Sequence, residues 1–219
     1  MSHYALQVLN LLAALLLLIT FAMLSQRRIL SLIYLFTLHG ATLVATALVV
    51  AYVTHDNQLY FSAGLTFLLK VLLIPWILHK LILRLNVKWD VEPLINIPST
   101  MLVGIVLVII AFNLALPVAK LSASIARGTL GIALACILLS FMMMITRSKA
   151  VPQVIGFLAM ENGLFFAATA ATSGMPMIVE LGIALDILIG ILILGVFMFQ
   201  IREQFDNLDI HNLESLTDD

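Results

Sequence analysis

His39, Lys70, Glu161 and Asp186 lie deep inside long apolar runs of the sequence, and Glu180 lies nearer the end of one. On insertion scales a charge at the bilayer centre costs about 2.5–3.5 kcal/mol, so three unpaired central charges would cost roughly 8–10 kcal/mol. Side chains this expensive face a bundle interior or a wet cavity, not lipid. An amine, two carboxylates and an imidazole at similar depth are groups that exchange protons and bias one another by charge. Glu161, Asp186, Lys70 and His39 are therefore candidates for a proton or cation relay, with Glu180 a weaker one. Two acids against one lysine leave an excess acid able to hold a proton. The competing reading is a purely structural ion pair, Lys70 neutralising Glu161 or Asp186. For His39 the competing reading is a satisfied packing residue.

Other residues carry less chemistry. His3, His39, His55, His79 and His211 form no i, i+4 pair that would suggest a metal or haem site. A single cysteine, Cys136, excludes a disulfide framework or a thiolate cluster within the chain. Met142-Met143-Met144 reads as core filler, and Asn113 as a helix–helix hydrogen bond. Pro75 removes a ladder donor and is expected to kink its helix near Lys70. Asn162-Gly163 marks either a local loosening of its helix or a packing notch, in a run rich in small residues.

The elements that must hold these residues are transmembrane helices. The 219 residues are 63% hydrophobic and 11% charged, against about 45–50% and about 25% in a soluble domain. This composition excludes a soluble enzyme, a nucleic-acid binder and a disordered chain. A net charge of −1 gives no pull toward polyanions. With about 20 residues needed per span, the runs predict seven helices in an all-α polytopic membrane protein. They are approximately Tyr4–Leu24, Ile29–Val53, Tyr60–Leu83, Thr100–Val118, Gly128–Ile145, Pro152–Thr172 and Pro176–Ile201. The first run lacks the basic flank and cleavage site of a signal peptide and reads as a mature helix. Segments 1–99, 100–126, 127–203 and 204–219 form a three-helix unit with its linker, a connecting helix, a second three-helix unit and an acidic tail.

Basic residues set the expected orientation. Arg27, Arg28, Lys80, Arg84, Lys88, Arg147, Lys149 and Arg202 fall on one face, and only Lys120 and Arg127 on the other. The N-terminus is expected outside and the C-terminus in the cytoplasm of a bacterial or archaeal cytoplasmic (inner) membrane. A weak internal repeat relates the two three-helix units. Each middle helix carries a polar residue followed by glycine (His39-Gly40, Asn162-Gly163), and each third helix a central charge (Lys70, Asp186).

The runs Gly156-Phe157-Leu158-Ala159-Met160-Glu161-Asn162-Gly163 and Ala184-Leu185-Asp186-Ile187-Leu188-Ile189-Gly190, with Asn207-Leu208-Asp209-Ile210-His211-Asn212-Leu213, resemble the K subunit of bacterial respiratory complex I over about the last 75 residues. The second acid there is usually glutamate, where this chain has the shorter Asp186. That subunit is about half this length. Lys70-Val71-Leu72-Leu73-Ile74-Pro75 together with Met160-Glu161-Asn162-Gly163 extends the resemblance to a seven-helix family, hydrogenase-4 component E of formate hydrogenlyase-type complexes.

The resemblance implies a subunit, not catalytic alone, of a group 4 [NiFe] hydrogenase membrane arm. Nickel–iron and iron–sulfur centres would sit in partner subunits, with no cofactor or metal in this chain. The implied partners are antiporter-like membrane subunits, a membrane anchor subunit and peripheral hydrogenase subunits. Glu161 and Asp186 would belong to a central hydrophilic axis that Lys70 extends. The alternatives are a subunit of a multisubunit cation/proton antiporter and a spacer that transfers no ion.

Overall fold

A computed structural model describes residues 3–55, 57–84, 95–121 and 126–172, together with Gly182 and Gly190. The described residues are helical apart from short links and include no β-strand. Among these residues, six helices are long and apolar enough to cross a membrane. The expected seventh span, Pro176–Ile201, falls almost wholly outside the described residues, and with it Glu180 and Asp186.

The elements follow the apolar runs. Helix α1 spans His3–Ser25 and α2 spans Ile29–Thr54. His55 closes α2 in the left-handed region (φ 54°), with its N–H bonded to the Ala51 carbonyl. The third span is built of α3 (Asn57–Thr66), a π-helical turn (Phe67–Leu73) and α4 (Ile74–Arg84). Helices α5 (Ile97–Leu121), α6 (Ala126–Thr146) and α7 (Ala150–Thr172) complete the set. Pro152 falls in the first turn of α7, where its missing N–H would be unpaired anyway. In α5 the helix continues through Pro117 to Leu121, a few residues beyond the predicted end.

Helix α2 is central, packing against α1, the third span and α7. Helix α6 packs against α5, α7 and α1. The α6–α7 contact rests on missing side chains. A Cβ on Gly156 would stand 2.9 Å from Met144 Cγ, and one on Gly163 2.9 Å from Ile137 Cγ1. These glycines lie seven residues apart, two helical turns, so they share one face of α7. Asn162-Gly163 is thus the packing notch of the two readings above, since α7 runs unbroken as an α-helix.

Helix α5 shows the bundle its small face, with Ala111 and Ala115 buried. Leu102, Ile105, Ile109 and Leu114 remain exposed, as lipid-facing side chains do. Asn113 is also on the exposed side and donates to its own Ile109 carbonyl at 2.8 Å. This corrects the expectation of an interhelical bond. Most buried threonines behave alike, donating to the carbonyl four residues back, as in Thr42, Thr46 and Thr169. In hydrocarbon that local bond satisfies a hydroxyl no water can reach.

Candidate functional site: a polar layer across the bundle

The two larger of three apolar clusters in the interior have polar side chains near their boundary. One cluster holds Ile19, Phe36, Ile74, Leu139 and Leu158. The other holds Leu16, Leu43, Ala63, Cys136 and Phe165. On α2, the third span and α7 a polar residue occupies the interval between these clusters: His39, Lys70, and the pair Glu161 and Asn162; on α1, Thr20 directly follows Ile19 of the first cluster. All are buried, His39 and Asn162 completely.

Lys70 is placed by the wide turn. The Ile74 N–H bonds to the Leu69 carbonyl, five residues back, just before Pro75, which can donate nothing. The expected disturbance near Lys70 is present, in the form of a π turn. Widening the ladder inserts an extra residue and rotates Lys70 into the bundle. Gly40 on α2 lies against this turn, and an added Cβ there would stand 3.4 Å from Lys70 Cβ.

From the turn, Lys70 Nζ donates to Glu161 Oε2 at 2.6 Å and to Asn162 Oδ1 at 2.7 Å. The first contact is a buried ion pair. The Phe165 ring lies 6.0 Å from the ammonium and adds a cation–π contact. Glu161 Oε1 is buried and has no hydrogen-bond partner among the described residues. A Cβ on Gly182 would stand 3.2 Å from that oxygen, so the absent side chain leaves it room.

The layer continues on the other side of Asn162. Asn162 Nδ2 lies 3.1 Å from His39 Nδ1, and His39 Nε2 lies 3.2 Å from Thr20 Oγ1. Thr20 Oγ1 in turn donates to the Leu16 carbonyl at 2.8 Å. The Cys136 thiol of α6 also faces Thr20. A continuous chain of polar contacts therefore runs from Glu161 on α7 to the backbone of α1. Of the residues singled out from the sequence, Lys70, Glu161 and His39 meet in this layer. Asp186 and Glu180 lie outside the described residues. The polar residues of the two middle helices, His39 and Asn162, are in direct contact.

Sequence reasoning missed three participants. Thr20 carries no signal that separates it from the other membrane threonines. Asn162 was read as a loosening or packing notch of its helix and as the polar residue of the internal repeat, not as a member of the relay. Arg147, counted among the basic residues that set the orientation, is buried, only 1% exposed. Its Nη2 donates to the Leu24 carbonyl at 2.6 Å, capping the C-terminal end of α1. Its Nε and Nη1 have no partner among the described residues, and burial lowers its proton affinity from the ordinary arginine value.

Comparison with known proteins yields relatives at the level of whole chains. No family model matches the chain, and no solved structure matches it significantly. It is 30% identical over 194 residues to the uncharacterized protein Rv0085 of Mycobacterium tuberculosis, covering 88% of each chain. It is 24% identical over 160 residues to hydrogenase-4 component E of Escherichia coli, covering 73% of this chain and 74% of that one. The chain therefore belongs to the same family as Rv0085 and is related to hydrogenase-4 component E.

Proposed function

We propose that this chain is a membrane subunit of a hydrogenase-type complex related to complex I, and that its buried charges form part of a proton-translocation or charge-coupling axis. The similarity to hydrogenase-4 component E supports the setting. The observation that carries the chemistry is the buried Lys70–Glu161 pair, whose carboxylate keeps one oxygen unpartnered among the described residues. An ion pair that only held helices together would gain from satisfying both oxygens, since a buried unpaired acceptor costs about 1–3 kcal/mol. A carboxylate oxygen outside the ion pair is one that can take a proton or answer a neighbouring charge. Protonation of Glu161 would release Lys70 to interact elsewhere and pass a charge change along the membrane plane. Asp186 and Glu180 are proposed as further members of the axis.

In this reading the chain catalyses nothing alone. Redox chemistry belongs to peripheral hydrogenase subunits holding the nickel–iron and iron–sulfur centres. The chain joins antiporter-like membrane subunits to the membrane anchor subunit, as in a formate hydrogenlyase-type assembly. Its N-terminus lies outside and its C-terminus in the cytoplasm of the inner membrane.

Two measurements test this. Affinity purification of the tagged chain from native membranes in mild detergent is expected to recover antiporter-like subunits together with hydrogenase subunits. Recovery of antiporter subunits alone would reassign it to secondary cation/proton exchange. In the assembled complex, Glu161→Gln is expected to leave assembly intact and lower coupled proton movement. Unchanged movement would return the pair to a structural role.

A further inference from the structure

The direction of every hydrogen bond in the polar layer can be fixed from its two ends, and the two assignments agree. At one end the Lys70 ammonium is donor only, so the Asn162 atom it meets at 2.7 Å must be the carbonyl oxygen. That turns the Asn162 NH2 toward His39 and makes His39 Nδ1 an acceptor. At the other end the single Thr20 hydroxyl proton goes to the Leu16 carbonyl at 2.8 Å. Thr20 Oγ1 must then accept from His39, which places the imidazole proton on Nε2. Together the two ends give a neutral His39, with its proton on Nε2 and Nδ1 bare, so donation runs one way from Lys70 to the backbone of α1.

We propose that Asn162 is a positioning residue whose amide makes the charges on Lys70 and His39 mutually exclusive. A charged His39 carries N–H on both nitrogens, so its Nδ1 needs an acceptor. The group facing it is the Asn162 amide, which can offer its oxygen only by turning half a revolution. The turned amide presents NH2 to Lys70 Nζ, which can accept only as a neutral amine. That amine keeps N–H bonds to donate to Glu161 Oε2. In going from one state to the other, an N–H bond at Lys70 Nζ breaks and one at His39 Nδ1 forms. The proton count and the formal charge of the layer, one carboxylate and one cation, do not change. The titratable and charged groups that face this switch among the described residues are Glu161 on α7 and Cys136 on α6, the latter through Thr20. Its use rests on the proposed charge-coupling role. The exclusivity itself is a property of the hydrogen bonds.

The test is nitrogen NMR of the full chain in lipid vesicles with isotope-labelled histidine and lysine. The His39 signal is identified by its loss in His39→Gln. In the wild-type chain the ring is expected neutral with its proton on Nε2 while Lys70 is protonated, and no pH yields both as cations. Asn162→Asp offers an acceptor to each neighbour, so a doubly protonated His39 beside a protonated Lys70 is expected. In Lys70→Met the amide is free to turn, and His39 is expected to gain a proton on mild acidification. A wild-type ring protonated on Nδ1, or both residues charged at once in the wild type, overturns the proposal. So does a ring that behaves the same in all three chains. Should either variant fail to fold, the wild-type tautomer still decides. Failure of the proton-movement test at Glu161 would leave these spectra unmoved, so the two readings fail separately.

Discussion

The third span and α7 both carry charge into the middle of the bundle, by different means. Helix α7 does so without departing from regular geometry. Glu161 and Asn162 are adjacent, about 100° apart around the axis, which lets one helix address both Lys70 and His39. The cost of close approach is borne by glycines at 156 and 163. The third span instead abandons the α ladder over Phe67–Leu73 and presents its lysine from a wide turn. A long cation must be aimed between two acceptors 2.6 and 2.7 Å away, and an extra residue in the ladder does the aiming. The acid side is thus held by packing, and the basic side by a local irregularity that Pro75 helps to keep open.

The largest effect should come from removing the cation. Lys70→Met leaves Glu161 buried and unpaired, a loss expected to cost about 3–5 kcal/mol, whereas neutralising both partners is often nearly harmless. Thermal unfolding of the purified chain should show a strongly destabilised Lys70→Met and a largely restored Lys70→Met/Glu161→Gln double variant. Deleting Leu68 should close the wide turn and rotate Lys70 by about 100°. This leaves every charge in the sequence yet should lower proton movement in the assembled complex. A deletion that leaves transport intact would show that the π turn does not aim the lysine.

A smaller effect belongs to the packing side. Gly163→Val drives new carbon into Ile137 and should cost about 1–3 kcal/mol, as overpacking does. Gly40→Ala finds ordinary contact distances and should be near neutral in the same assay. Thr20→Val orphans the His39 Nε2–H and should cost about 1–3 kcal/mol, the penalty for a buried donor left unmade. It should leave the Lys70–Glu161 pair intact.

The spans were legible because twenty apolar residues in a row have few other uses, and described helix ends match within about four residues. The buried charges were legible because their insertion cost demands an explanation, and Lys70 and Glu161 meet in the structure. Their wider network was not. Partnership between His39 and Asn162 depends on which faces of α2 and α7 meet, and alternation of apolar residues says little in helices apolar all round. Asn113 shows the converse failure, since an amide can satisfy itself on its own helix, where sequence suggests a neighbour. Arg147 shows that a basic residue at a helix link can be an interior cap. The wide turn depends on Pro75 acting with the packing around Lys70, and proline alone suggested only a kink.

The central claim is that the Lys70–Glu161 pair moves charge and does more than hold helices together. Its most direct test is proton uptake by inverted membrane vesicles containing the assembled complex with Lys70→Met/Glu161→Gln, a pair expected to fold. The complex is expected to assemble and turn over its redox reaction while proton uptake falls to a small fraction of wild type. Full uptake with both charges gone would contradict it.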